Sequence, residues 1–391
     1  MSKILPLPGK GVASAPAVPL NSVPEILADL RAGRMVVIMD DEDRENEGDL
    51  IMAAQCVTAE AVAFMIRYTS GIICVPMEEA GLARLELPQM VPVNSESHRT
   101  AFTVSVDVRS GTTTGVSSVD RAATIRALAN PASAPGDFAR PGHIFPLRSR
   151  RGGVLVRAGH TEAAVDLCRL AGLAPVGVLC EVMNDDGTMA RRPQLQEFAR
   201  RHALKVGTIA DLIRHRLRTE RTVTRMSEQG VATELGEFRL YAYQDEISLE
   251  VHVALAHGCL DGDAVPLVRV HLPDTLRDLL GLHGPGRAWT LRAAMQRIVE
   301  AGSGVVVLLR QQESARELAE ALRGFAASTQ PAAATDAAAV ADGAVLRTFG
   351  VGAQILKDLG VKRMRVLSAP KQMHGISAFD LEVEGYCGEE G

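Results

Sequence analysis

Hydrophobic residues recur along the first half of the chain at two spacings, which predict helices and strands in turn. Helical spacing in VPEILADLRAG (23–33) predicts a helix that ends at Gly33. The apolar runs of GRMVVIMD (33–40) and GIICVPM (71–77) predict buried strands, and EAVAFMIRYTSG (60–71) predicts a helix between them. The elements alternate without requiring that all strands run parallel. The pattern therefore predicts an α/β (α+β) fold with a mixed sheet.

Four further segments of this half fill in the expected elements. GGVLVRAGHTEAAVDLCRLAGL (152–173) predicts a strand, a short turn and a helix that begins near Thr161. APVGVLCEVMN (174–184) predicts another strand, and AFTVSVDV (101–108) alternates as a half-buried strand does. RPGHIFPL (140–147) is interrupted by proline and glycine, and we interpret it as a loop.

The pattern changes in the second half, after Arg221. EFRLYAYQDEISLEVHVALAHG (237–258) and AVPLVRVHL (264–272) predict a meander of strands, followed by helices around the buried run GVVVLLR (304–310). STQPAAATDAAAVADGA (328–344) is of low complexity. We expect four parts: a flexible leader over 1–21, a first domain over 22–218, a linker over 219–228 and a second domain over 229–391.

Composition narrows the class of protein. Aromatic residues make up 4% of the 391 residues and the net charge is −5, so neither a stacking surface nor a general polyanion site for nucleic acid is indicated. No apolar run approaches the roughly 20 residues that span a bilayer, so no membrane association is expected. The six cysteines are scattered without a CxxC pair, which favours reduced thiols and a cytoplasmic location.

An acidic loop, DDEDRENEGD (40–49), follows the first strand. A charge run of this kind is more often a solvated loop. Here, however, it directly follows a strand, Arg44 offers a guanidinium to a phosphate, and Gly48 permits a tight turn. Carboxylates crowded this closely repel one another unless a cation lies between them, and hard divalent ions take oxygen ligands. The loop therefore predicts a metal site.

Three other residues are candidates for chemistry. His160 lies in the turn RAGHT (157–161) before a predicted helix, where an imidazole can bind a metal or move a proton and backbone N–H groups can hold an anion. His143 lies on the predicted loop 140–147, and Glu181 lies near the end of a predicted strand. Each of the three, taken alone, would more often be structural or simply exposed.

The motifs together resemble 3,4-dihydroxy-2-butanone 4-phosphate synthase of riboflavin biosynthesis. The resemblance rests on DDEDRENEGD (40–49), TTGVSSVDRAATI (113–125), RPGHIFPLRSRRGGVLVRAGHTEAAVDL (140–167) and GVLCEVMNDDGTMAR (177–191), in that order. It covers about residues 22–218. It implies a lyase that converts D-ribulose 5-phosphate to 3,4-dihydroxy-2-butanone 4-phosphate and formate.

The resemblance also implies roles for individual residues. By motif position, Glu45 and His160 are expected to bind the metal, Mg²⁺ or Mn²⁺. His143 and Glu181 are expected to be essential to the chemistry, although which residue abstracts the first proton is left open. Substrate contacts are expected from Arg44, Glu45, Asp49, Arg157, Ala158, Gly159, His160, Thr161 and Glu181.

The segment TTGVSSVDR (113–121) offers additional contacts near the pocket. We expect phosphate contacts from Thr113, Gly115 and Ser117. A charged pair is expected between Asp120 and Arg121.

The second half resembles GTP cyclohydrolase II, through ATELGEFRLYAYQDEISLEVHVALAHG (232–258), VPLVRVH (265–271) and RTFGVGAQILKDLGVKRMRVLSAP (347–370). That family holds zinc with three cysteines, whereas the corresponding stretch 271–289 contains none and places Asp274 at the first position. One carboxylate with His271 or His283 does not rebuild a thiolate site. Three further motif positions have changed: QESAREL (312–318), Thr348-Phe349 and Ser368-Ala369-Pro370. We therefore expect no zinc and no GTP hydrolysis.

Two alternatives remain open. In the first, the chain is a truly bifunctional enzyme in which other residues have replaced the zinc ligands. In the second, the chain is a non-catalytic scaffold descended from both enzymes. The scaffold is disfavoured because the changes are confined to the second domain. Members of the family are homodimers, so we expect a homodimer here too.

Overall fold

Residues 20–41, 44–260, 265–282, 289–310, 318–320, 322–323, 342–368 and 380–388 are described by a computed structural model of the chain. The chain divides into two compact units. The first unit comprises the chain up to Gly153 together with Gly159–Asp211, and the second comprises Val154–Ala158 together with Leu212–Gly391.

The first unit is built on a seven-stranded mixed sheet. Its strands are β1 Val36–Met39, β2 Gly48–Ala53, β3 Cys74–Met77, β4 Val106–Val108, β5 Phe138–Arg148, β6 Gly177–Glu181 and β7 Lys205–Thr208. The strands are arranged in the order β4-β5-β3-β6-β2-β1-β7, and within this sheet the pairs β1–β7 and β3–β5 run parallel while the other pairs are antiparallel. Its helices are α1 Val23–Arg31, α2 Ala59–Tyr68, α3 Glu79–Arg84, α4 Ser118–Ala129, α5 His160–Leu170 and α6 Arg192–His202, and α7 Ile209–Thr219 continues into the second unit.

The core of the first unit fixes the central strands. Every residue of β1 and β2 is buried. Leu50 of β2 packs in one apolar cluster with Val62 and Met65 of α2 and with Ile125 and Leu128 of α4. Since each such side chain contributes about 1.5–3 kcal/mol when it is fully buried, the strands that carry the acidic loop are held rigidly.

The second unit contains a separate seven-stranded sheet in the order β14-β13-β11-β12-β10-β9-β8. Strands β8, β9 and β10 form the antiparallel meander that the alternating pattern predicts, and β11 runs parallel to β12 and β13. The strands are β8 Val223–Thr233, β9 Gly236–Asp245, β10 Val251–His257, β11 Leu267–His271, β12 Gly304–Leu308, β13 Arg363–Leu367 and β14 Glu382–Cys387. The helices are α8 Leu291–Ala301 and a helix over Asp342–Asp358.

Two local predictions are wrong. The segment around His143 is not a loop but part of the long strand β5. The run VLV before the RAGHT turn forms no strand: Gly152 and Gly153 adopt φ of 93° and 61°, and a short 3-10 helix over Gly153–Leu155 follows. Two successive left-handed residues reverse the chain, and an extended strand cannot begin there.

Besides β5, four strands were not predicted from the sequence, namely β2, β7, β8 and β14. The low-complexity segment apart from its last three residues, His283, and most of QESAREL lie outside the described residues. Within the described part of the chain, no helix combines the length and apolarity needed to cross a membrane.

Candidate metal and substrate site

The acidic loop connects β1 to β2 and folds around Asp40. Oδ2 of Asp40 accepts hydrogen bonds from Nη1 of Arg44 (2.8 Å) and from the backbone N–H of Glu45 (3.1 Å), while Oδ1 accepts the N–H of Glu47 (2.8 Å). Arg44 also lies 2.8 Å from Oε1 of Glu45. One buried carboxylate thus gathers the turn, and the guanidinium holds Asp40 and Glu45 together.

Strand register places two acids side by side at the centre of the sheet. Ile38 of β1 pairs with Asp49 of β2, and Asp49 pairs in turn with Glu181 of β6. Directly paired side chains lie on the same face of a sheet, about 5 Å apart at Cβ. Oδ1 of Asp49 is buried without a hydrogen-bond partner, whereas Oε2 of Glu181 accepts a 2.7 Å bond from the hydroxyl of Ser70.

His160 is the first residue of α5, directly after the N-cap Gly159. Its Nε2 lies 3.1 Å from the carbonyl oxygen of Ile38, which can only accept, so Nε2 carries the proton. The lone pair on Nδ1 then faces the carboxylates, at 3.9 Å from Oε2 of Glu45 and 3.8 Å from Oδ1 of Asp49. A backbone bond of this kind fixes the tautomer in many metal-binding histidines.

The crowding shifts the protonation equilibria of the site. Burial, followed by the charges of Glu181 and Glu45, raises the pKa of Asp49 well above its usual value. Burial also raises the pKa of the Glu47 carboxyl. The pKa of His160 is lowered, again chiefly by burial. Arg44 supplies a positive charge to Asp40 and Glu45, whereas Oδ1 of Asp49 has no hydrogen-bond partner.

This donor set fits a hard divalent cation. Asp40, Glu45 and His160 each offer one ligand atom, and the three atoms lie within 4.8 Å of one another. Separations of 3.8–3.9 Å between Nδ1 and two carboxylate oxygens can be bridged by an ion with bonds of roughly 2.1 Å to each. The unpartnered oxygen of Asp49 would gain a counter-charge from the same ion.

Two residues that the sequence did not single out also contact the acidic loop. Arg191, the N-cap of α6, donates from Nη1 to the carbonyl oxygens of Glu45 and Asn46, the latter at 2.7 Å, and lies 3.6 Å from Oε1 of Glu47. Nδ1 of His98 lies 3.6 Å from Oε1 of Glu45. Their partners are more than 50 residues distant in sequence, so local patterns carry no signal for these contacts.

The remaining predicted site residues are distributed as follows. Thr161 is buried in the first turn of α5. Arg157 and Ala158 fold with the second unit. His143 lies on β5, separated from β6 by β3, so about 10 Å of sheet separates it from Glu181.

In the 113–121 segment, the predicted pair of Asp120 and Arg121 is not formed. Oδ2 of Asp120 instead accepts the N–H and hydroxyl of Thr113 and the N–H of Gly115. Neighbouring helix positions point in different directions, so Nε of Arg121 is buried without a partner. Ser117 caps α4 by accepting the N–H of Asp120.

In the second unit, Asp274, His271 and Asp278 form internal hydrogen bonds in the segment that follows β11. Oδ1 of Asp274 accepts the N–H groups of Leu276 and Arg277. Nε2 of His271 lies 2.7 Å from Oδ2 of Asp278, and Asp278 also accepts the backbone N–H groups of Asp274 and Leu291. These side chains cap and stabilise the turn that follows β11.

Both halves of the chain match known families. Residues 24–215 match the 3,4-dihydroxy-2-butanone 4-phosphate synthase family, and residues 224–388 match GTP cyclohydrolase II. A relative from Pseudomonas aeruginosa named 3,4-dihydroxy-2-butanone 4-phosphate synthase is 51% identical over 371 residues, which cover 95% of this chain and 100% of the relative.

Solved structures agree with these matches. A two-domain 3,4-dihydroxy-2-butanone 4-phosphate synthase from A. baumannii is 41% identical, with a TM-score of 0.79 over 94% of this chain and 99% of that one. A 3,4-dihydroxy-2-butanone 4-phosphate synthase in complex with two magnesium ions is 47% identical, with a TM-score of 0.50 over 51% of this chain and 98% of that one. The predicted two-domain α/β architecture is confirmed. The chain belongs to the 3,4-dihydroxy-2-butanone 4-phosphate synthase family.

Proposed function

We propose that the first unit converts D-ribulose 5-phosphate to 3,4-dihydroxy-2-butanone 4-phosphate and formate, and that it requires Mg²⁺ or Mn²⁺ held by Glu45 and His160. The observation that carries this proposal is the Nδ1 lone pair of His160, which faces the carboxylates of Glu45 and Asp49 while Oδ1 of Asp49 has no other partner. A bound Mg²⁺ would supply the positive charge that polarises the carbonyl and neighbouring hydroxyl of the sugar.

The chain's own residues divide the remaining work. Arg44 and the first turn of α5, with Thr161, are proposed to bind substrate oxygens, because helix N-termini and guanidinium groups favour anions. Glu181 is proposed to exchange protons with the sugar, and Ser70 holds its carboxylate in one orientation. The five-carbon substrate yields a four-carbon product and formate without an oxidant, so the proposed metal and proton-transfer groups need no redox partner.

The second unit is proposed to hydrolyse no GTP and to hold no zinc. Support comes from the bonds that already engage Asp274 and His271. We further propose a homodimer of a cytoplasmic protein. The cytoplasmic proposal is supported by the scattered spacing of the six cysteines, which form no CxxC pair in the sequence.

One protein preparation tests the proposed lyase activity, its metal requirement and the absence of GTP hydrolysis together. Formate release from ribulose 5-phosphate is measured with and without EDTA, and restoration by Mg²⁺ and Mn²⁺ is compared. Glu45→Gln and His160→Ala are expected to lose Mn²⁺ binding, measured by calorimetry, and turnover, while the circular dichroism spectrum is retained. Unchanged formate release in EDTA would refute the metal requirement, and ring-opened pyrimidine from GTP with added Zn²⁺ would show that the protein is bifunctional. Absence of both activities would favour a scaffold.

A further inference from the structure

A sharp turn over residues 150–153, the glycine turn, follows the end of β5. Gly152 and Gly153 both adopt left-handed backbone conformations, with φ of 93° and 61°, and the N–H of Gly153 donates to the carbonyl oxygen of Arg150 at 2.9 Å. Just before the turn, the N–H and the hydroxyl of Ser149 donate to a carbonyl oxygen at the end of β3, at 3.0 and 3.2 Å. The chain that enters the glycine turn is therefore fixed to the sheet.

Two buried carboxylates of α5 lie against the glycine turn. Glu162 and Asp166 are four positions apart, so they share one face of the helix. Oε1 of Glu162 accepts the backbone N–H of Arg150 at 3.1 Å. A Cβ on Gly153 would lie 2.3 Å from Oδ1 and 2.2 Å from Oδ2 of Asp166. The carboxylate of Asp166 therefore occupies the space beside Gly153, and only glycine combines this close approach with a left-handed backbone.

The two acids are costly in the interior of α5. Like charges at this helical spacing repel each other, and a buried carboxylate loses its hydration. The neighbouring buried side chains of the helix, among them Ala163, Ala164 and Leu167, are apolar. A helix that served packing alone would be expected to carry apolar residues at the two acidic positions as well. The acids are therefore best explained by the turn that they hold.

The glycine turn leads directly into the predicted substrate turn over residues 157–161. That turn ends in α5, whose first two residues are His160 and Thr161. One helix thus fixes the connection at both ends, because its first turn carries the end of the connection and Asp166 holds the beginning. Fixing both ends reduces the number of conformations open to the chain between them, including Arg157.

We infer that Asp166 is a positioning residue that sets the shape of the 157–161 turn and thereby the affinity of this turn for the substrate phosphate. The inference rests on the proposed function, in which the first turn of α5 binds oxygens of the sugar phosphate. A phosphate is the anion that N–H groups at a helix N-terminus and the guanidinium of Arg157 favour. Asp166 is buried in the middle of α5, so it acts through the backbone of Gly153 and not by contact with substrate.

The first test is Asp166→Asn, which replaces one accepting oxygen by an NH₂ group. KM for ribulose 5-phosphate is expected to rise about tenfold, which is the usual cost of one lost hydrogen bond to a charged group, while kcat and Mn²⁺ affinity stay within about twofold. Binding of inorganic phosphate, followed through the amide NMR signals of Gly159 and Thr161, is expected to weaken by the same factor.

Gly153→Ala disturbs the same contact from the other side. It is expected to raise KM to a similar extent and to add little to Asp166→Asn in the double variant. Gly172→Ala is its matched control, since Gly172 also has a positive φ, of 73°, just after α5, but a Cβ there meets open space. Asp29→Asn controls for the loss of a buried carboxylate with ion-pair partners of its own, and it is expected to lower stability in urea while KM stays within about twofold.

Three results would overturn the inference: an unchanged KM in Asp166→Asn, a fall in kcat without a change in KM, or additive effects of the two substitutions at the contact. If circular dichroism shows that Asp166→Asn does not fold, Gly153→Ala decides alone, and wild-type KM and phosphate affinity in that variant would refute the inference.

Phosphate binding needs no turnover, so it separates the inference from the proposed function. A wild-type protein that releases no formate, but whose phosphate binding weakens in Asp166→Asn, would refute only the function. An active enzyme whose folded variants keep the phosphate affinity and KM of the wild type would refute only the inference.

Discussion

Arg191 offers the sharpest test of how the acidic loop is organised. Its Nη1 donates to two backbone carbonyls of the loop and its guanidinium faces Glu47, although the side chain is 43% exposed. Arg191→Ala removes all three contacts without altering a predicted ligand of the metal. The loop then keeps its bonds to Asp40 but depends more strongly on the proposed cation for its order.

The expected magnitude follows from these contacts. A hydrogen bond from a charged donor contributes about 1.5–3 kcal/mol when it is buried, and an exposed ion pair contributes about 0–1 kcal/mol. Because the two hydrogen bonds are partly exposed, we assign each of them about half of the lower figure, and the ion pair supplies the remainder. Arg191→Ala is therefore expected to lose about 2 kcal/mol of the free energy that orders the loop. If this free energy is drawn from cation binding, the dissociation constant for Mn²⁺ rises roughly 30-fold.

Calorimetric titration with Mn²⁺ checks this value, and formate release at saturating metal provides the second measurement. Because the chemistry itself is untouched, kcat at saturation is expected to return close to that of the wild type. Arg200→Ala is the matched control, since Arg200 lies on the same helix but pairs only with exposed Glu197. Unchanged Mn²⁺ affinity in Arg191→Ala, or a kcat that saturating metal does not restore, would refute the reasoning.

Three further predictions concern other parts of the fold. Gly142→Ala places a Cβ 2.0 Å from the backbone carbon of Val106, so urea unfolding is expected to show a loss of about 3 kcal/mol, whereas Gly136→Ala, which meets open space, is expected to show little change. Bonds from two backbone N–H groups lower the pKa of Glu96 to about 2, so the stability that its charge contributes is present above about pH 4.5 and is lost only as the pH falls towards 2. The amide signal of Thr100, which donates to this carboxylate, is therefore expected to show no carboxylate titration above about pH 4, and a titration near 4.5 would contradict this. Asp278→Asn is expected to destabilise the second unit by about 2 kcal/mol in thermal unfolding, because an amide NH₂ replaces Oδ2, the oxygen that His271 and the backbone N–H of Asp274 share, while EDTA leaves the wild-type transition of this unit unchanged.

Sequence reasoning succeeded where chemistry is concentrated in short motifs. The acidic loop and His160 were selected by charge crowding and resemblance, and the structure brings Glu45, Asp49 and His160 together. Apolar spacing also predicts the elements α1, β1, α2, β3 and β6. The metal-binding and catalytic roles themselves remain predictions until they are measured.

Sequence reasoning failed where contacts join distant segments. Strand β2 was missed because GDLIMA follows directly on the acidic run and has no polar alternation, being buried on both faces. The contact of Arg191 with the acidic loop joins residues that are 146 positions apart, so no local pattern predicts it. Only the folded sheet shows which carboxylate meets which imidazole.

The row Ile38, Asp49 and Glu181 across three adjacent strands ties the chemistry to the accuracy of strand pairing. A slip of β2 by one residue would turn the carboxylate of Asp49 to the opposite face and bring Leu50 or Gly48 to the place opposite Glu181. Such a molecule would keep nearly all its secondary structure, yet the carboxylate of Asp49 would no longer face His160. Under the proposed function, cation uptake is expected to weaken in misfolded copies that spectroscopy of the backbone would count as native.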